Sequence, residues 1–136
     1  MLLAPAPGAA PDVTAAALAT MAPGWATLWI LGRLAGAVVT VPLAEEIAFR
    51  GYLARRLIAR DFERVPLERL SWLAVLGSAF AFGLLHDRIV AGTLAGIAYG
   101  LVARRRGSLV DAVVAHATTN ALLAVWVLWT GNWSLW

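Results

Sequence analysis

The sequence predicts an all-α, polytopic membrane protein, with about four transmembrane helices forming a compact bundle around an intramembrane polar site. Three observations lead there. Of 136 residues, 61% are hydrophobic and only 14% charged, where a soluble domain carries about a quarter charged residues. The apolar residues fall into four long runs without the period-2 alternation of strands. A few ionisable residues sit inside those runs, although a charge at mid-membrane costs about 2.5–3.5 kcal/mol on insertion scales. The absence of cysteine excludes a disulfide framework, a thiol nucleophile and a thiolate metal site. All 11 basic residues are arginines. They lie mostly between apolar runs and form no continuous basic face, so no nucleic-acid partner is expected.

The elements follow in order. Residues 1–24, with Pro5, Pro7, Pro11 and Pro23, read as an Ala/Pro-rich, poorly ordered leader without the basic start of a signal peptide. Residues 25–136 form the membrane-embedded core. The first apolar run goes from Trp25 to about Ala44. Its helix should continue to about Arg60, because Ile47, Leu53, Leu57 and Ile58 recur at helical spacing. A polar connector, Asp61 to Arg69, contains Pro66. Leu70 to His86 is the second run and Ile89 to Ala103 the third. Arg104-Arg105-Arg106-Gly107 breaks the chain before the fourth, Leu109 to Trp129. The arginine-rich connectors belong on the cytoplasmic side, which puts both termini outside. Trp25, Trp29, Trp126, Trp129, Trp133 and Trp136 then gather at one interface, and Arg33 snorkels towards it. Gly92, Gly96 and Gly100 make a flat stripe for close helix packing, and Gly32 and Gly36 repeat the device in the first run.

The polar residues within the runs carry the functional argument. Glu46 and Arg50 are four apart and can neutralise each other on one helix face. Glu45 points about 100° away and has no local partner. Phe82 and His86 share a face, as do His116 and Asn120. Depth arithmetic lets them meet. At 1.5 Å per residue, Glu45 lies about 15 Å above Arg55, His86 roughly 21 Å above Trp72 and His116 about 13 Å above Gly107. All fall within a core about 30 Å thick. A carboxylate, two imidazoles and an amide from three helices are parts for hydrolysis: a general base for water, a histidine that orients it, and donors to an oxyanion. Glu45, His86 and His116 also suit one divalent metal such as zinc. These residues alone do not choose between the two. Asp111 suits the start of the fourth helix. Ser78 with His116 is a weaker serine-type pairing, and the HExxH and GxGD signatures of other intramembrane proteases are absent.

Glu45-Glu46-Ile47-Ala48-Phe49-Arg50, then Phe82-Gly83-Leu84-Leu85-His86, then His116-Ala117-Thr118-Thr119-Asn120 resemble, in order, the EExxxR, FxxxH and HxxxN motifs of the CPBP family. These are the CAAX-processing and bacteriocin-processing (Abi-like) intramembrane proteases. The resemblance covers roughly Val41 to Leu128, and Arg105 to Leu109 with the Trp-rich end is similar to the exosortase-associated subgroup. It implies an endopeptidase in which Glu45 activates water, His86 assists, and His116 and Asn120 stabilise the oxyanion. Glu46, Arg50 and Phe82 support them, with no cofactor or one zinc-like metal. The implied substrate is a membrane-associated peptide or protein, and the expected location is the bacterial inner membrane. Family members usually carry further helices ahead of the glutamate helix, where this sequence has its leader. Outside enzymes, a protease-like immunity or binding protein and a proton or ion pathway are the alternatives.

Overall fold

The structure is a computed structural model that describes residues 13–135. Among these the chain is all-helical, with no strand. Half of the expected leader, residues 1–12, lies outside the described residues, as does Trp136; Val13–Thr20 forms a short apolar helix, α1.

Helix α2 runs without interruption through Pro23–Arg56. Proline in its first turn costs no hydrogen bond, because the N–H there has no helical partner. Two π-helical segments, Gly36–Thr40 and Ile47–Leu53, interrupt its α-geometry. The first directly precedes Pro42, which cannot donate to the preceding turn and would crowd its carbonyl. A π-turn relieves that conflict without a break. Between the two segments lies a short α-helical stretch, Val41–Glu46, which carries the glutamate pair. Helix α2 ends at Arg56, not at about Arg60. The physical reason is Arg55, whose Nε and Nη2 donate to the carbonyls of Val65 (2.7 Å) and Glu63 (2.6 Å). The returning connector, with 3-10 turns at Phe62–Arg64 and Leu67–Arg69, is thereby tied to the helix end.

Helix α3 is Trp72–Gly83, capped by Ser71, whose hydroxyl accepts from the Ala74 amide at 3.2 Å. His86 therefore lies beyond the helix, in a tight turn closed by His86 N–H to the Gly83 carbonyl at 3.0 Å. Helix α4, Ile89–Arg106, folds straight back onto α3. The glycine stripe forms the seam. A Cβ on Gly92 would meet Gly83 Cα at 3.2 Å, one on Gly96 would meet Ala79 Cα at 3.1 Å, and one on Gly100 would meet Val75 Cγ1 at 3.1 Å. Gly83 is tightest, against the Thr93 side chain and the Ile89 carbonyl. Gly107, with φ +62°, ends α4 in the left-handed conformation that glycine adopts without penalty. Helix α5, Leu109–Thr130, opens on Ser108, which accepts from the Asp111 amide at 3.2 Å. Asp111 sits in the first turn and pairs with Arg106 at 2.9 Å, as its place near the dipole's positive end favours.

Gly32 and Gly36 depart from expectation. Among the described residues nothing lies within 4 Å of a Cβ built on either, so no described helix packs on them. They border an open cleft of about 550 Å³ between α2 and α5, lined also by Trp29, Ala37, Val41 and Asn120. Gly83→Val should accordingly lower the melting temperature in detergent by the several degrees that overpacking of about 1–3 kcal/mol brings. Gly32→Val should leave it unchanged.

Two helices, α2 and α5, are long and apolar enough to cross a membrane. The 12 residues of α3 reach only about 18 Å. Polarity is distributed inside out. Trp25, Leu73, Leu85, Val90, Val110 and Trp129 are among many exposed apolar side chains, while Glu46, Arg50 and His116 are buried. A body whose surroundings are lipid has this pattern. At one end Trp29 and Trp133 approach to 6.3 Å, and at the other Arg104 lies 4.6 Å from the Trp72 ring.

Candidate active site

The motif residues come from α2, from α3 and the turn after it, and from α5, and Arg50, His86 and His116 converge around the phenyl ring of Phe82. Phe82, fully buried, meets His86 at 4.5 Å, Phe49 at 5.2 Å, His116 at 5.7 Å and Tyr99 at 6.3 Å between ring centres. His86 thus reaches the cluster although it has left the helix. Its Nδ1 lies 2.9 Å from the Phe82 carbonyl. A carbonyl only accepts, so this nitrogen carries the proton.

Glu46 and Arg50 form the expected pair, 2.9 Å apart and both fully buried. The pair has further partners. Arg50 Nη2 donates to the Gly96 carbonyl at 2.6 Å, and its guanidinium lies 4.8 Å from the Phe82 ring and 5.6 Å from that of Tyr99. With Phe49, 6.0 Å away, three aromatic rings and a carbonyl replace the water that this cation would otherwise require. The same Glu46 Oε1 lies 3.0 Å from His116 Nδ1. Glu46 is therefore both the counter-ion of Arg50 and the anchor of an imidazole.

Anchored at Nδ1, His116 turns Nε2 towards Glu45, 3.8 Å from Oε2. That gap is too long for a direct hydrogen bond and is of the length that a single bridging water would close. Glu45 Oε2 is buried and takes no hydrogen bond from the described residues. Glu45 thus has a neighbour that its own helix did not disclose. Asn120 stands one turn beyond His116, donates to the Ala37 carbonyl at 2.8 Å, and lines the open cleft. Its amide retains a second N–H.

Glu45, His86 and His116 do not make a metal centre in this arrangement. Among the described residues no three His, Asp or Glu side chains converge on a point that could hold an ion.

Sequence reasoning missed two participants. Tyr99 stacks on His116 at 4.5 Å with 15° between the planes, and the Gly96 carbonyl binds Arg50. A phenol lying between Gly96 and Gly100 in an otherwise apolar run was the available signal for the first. A backbone acceptor has none.

A family model described as type II CAAX prenyl endopeptidase Rce1-like matches residues 14–122. No curated protein and no solved structure matches the chain. The matched span contains every motif residue and most of the chain, in agreement with the CPBP resemblance. Because that match spans most of the chain, the chain belongs to the Rce1-like type II CAAX prenyl endopeptidase family, a family of membrane proteases.

Proposed function

We propose that this chain is an intramembrane endopeptidase that hydrolyses a peptide bond with water activated by Glu45. The observation that carries the reading is the 3.8 Å gap between Glu45 Oε2 and His116 Nε2, with neither atom hydrogen-bonded to the other. In this reading the four long helical segments sit together in the bilayer of a bacterial inner membrane, and the cleft beside Asn120 admits a membrane-associated substrate.

The Glu45 carboxylate takes a proton from water, and the hydroxide oxygen attacks the scissile carbonyl carbon. The carbonyl electrons move onto oxygen. His116 and the free N–H of Asn120 donate to that oxyanion, and His86 Nε2 assists the water. Collapse of the intermediate breaks the C–N bond, and the proton held on Glu45 passes to the leaving nitrogen. Phe82, Arg50 and Glu46 hold the two rings and stay outside the bond changes. No step is routed through a metal.

The test uses the purified chain in liposomes with C-terminal CAAX peptides, prenylated and unprenylated, in ¹⁸O-water. Cleavage with ¹⁸O in the new carboxylate is the expected result. His86→Ala should lower kcat by about 10²-fold or more, the usual share of a proton-handling group. Intact peptides of both kinds, with a well-folded chain, would overturn the proposal.

A further inference from the structure

We propose that Tyr99 is a positioning residue for His116, setting the rotation of the imidazole so that Nε2 faces Glu45. The proposal rests on the hydrolytic reading above.

The argument begins with the freedoms of a histidine side chain. An imidazole on a helix rotates about its last torsion over a broad, roughly two-fold well. The hydrogen bond to Glu46 fixes where Nδ1 lies, at 3.0 Å. A single hydrogen bond tolerates misalignment, so it leaves the ring room to rock about that torsion, and the rocking carries Nε2 out of line with Glu45. Two aromatic walls close this freedom. Tyr99 lies face to face with the imidazole, 15° from parallel at 4.5 Å, and Phe82 meets it at 75° and 5.7 Å. Tyr99 is itself buried. It is carried by α4, whose glycine seam holds it rigidly against α3. Arg50 lies against both aromatic rings, so the walls and the Glu46 anchor form one packed unit. The phenol is placed against no reacting atom, and of the groups it meets, His116, Phe82 and Arg50, the His116 ring is the one that faces Glu45.

The stack requires a flat ring, and phenylalanine supplies one. Tyr99→Phe should retain kcat within about threefold. Tyr99→Leu preserves apolar bulk but not the plane, and it should lower kcat by about 30-fold with KM little changed, the scale of a misplacement in a reacting constellation. A second readout does not depend on turnover. The chain contains 2 histidines, so ¹⁵N-histidine labelling of the full chain in detergent yields two imidazoles, assigned with His86→Gln. In the wild type and in Tyr99→Phe, His116 should give one sharp set of nitrogen resonances with Nδ1 protonated. In Tyr99→Leu the His116 set should shift and broaden while that of His86 holds. Unchanged His116 resonances in Tyr99→Leu would overturn the proposal. So would equal disturbance of both rings, which would mark general loosening. Should Glu45 prove dispensable, the hydrolytic reading would fall, whereas the resonances would still decide whether Tyr99 sets the ring.

Discussion

Glu45→Gln is expected to reduce peptide hydrolysis by about 10²- to 10⁴-fold, the range attributed to a general base, with the helical content and melting temperature of the parent. The substitution is nearly isosteric, so packing against α5 is preserved. At Oε2 it breaks no hydrogen bond to the described residues, since that oxygen accepts none from them. What it removes is the ability to take a proton from a water shared with His116 Nε2 across the 3.8 Å gap. The loss should fall on kcat with KM little altered, since the carboxylate acts on the water and not on the bound peptide. Glu45→Asp is informative as well. It keeps the base but withdraws it by one methylene, so partial activity is expected. Full activity in the glutamine variant would eliminate Glu45 as the base and with it the proposed mechanism.

Arg50→Ala should have the largest effect on the fold, a loss of about 3–5 kcal/mol, the usual cost of stranding one member of a buried ion pair. Arg50 is fully buried, and its removal takes the guanidinium from the Glu46 carboxylate, leaving the His116 ring beside it. It also frees the Gly96 carbonyl and empties the space between Phe82 and Tyr99. A denaturation series in detergent measures the loss. The double variant Glu46→Gln/Arg50→Met should recover much of that stability, because neutral groups of similar volume escape the cost of an unpaired charge. It should not recover turnover, since glutamine is a weaker anchor for His116 Nδ1 than a carboxylate. Equal stability of Arg50→Ala and the parent would show that the buried pair contributes nothing to the fold.

The parts legible in the sequence are those governed by periodicity. Four residues separate Glu46 from Arg50, and an α-helical turn brings them together whatever surrounds them. The Gly92, Gly96 and Gly100 stripe gave the α3–α4 seam for the same reason, since spacing along one helix is a local property. The same argument misled at Gly32 and Gly36, because periodicity states which residues share a face but not whether a neighbour arrives there. His86 illustrates a second limit. FxxxH spacing suggests one helical face, whereas α3 ends at Gly83 and a turn hydrogen bond supplies the same proximity. Glu45 seemed solitary because its neighbour, His116, is 71 positions away. Long-range contacts of this kind depend on how α2 and α5 cross, which no local pattern encodes.

The π-turns on either side of the glutamates have a consequence for where the acids face. Each encloses one more residue than an α-turn, because its backbone bonds reach from i to i+5. A surplus residue is a rotational offset, so the azimuth of Glu45 and Glu46 relative to either end of the helix differs from the one an unbroken α-helix would give. Counting around an ideal helical wheel from Trp25 or from Arg55 therefore misplaces both carboxylates.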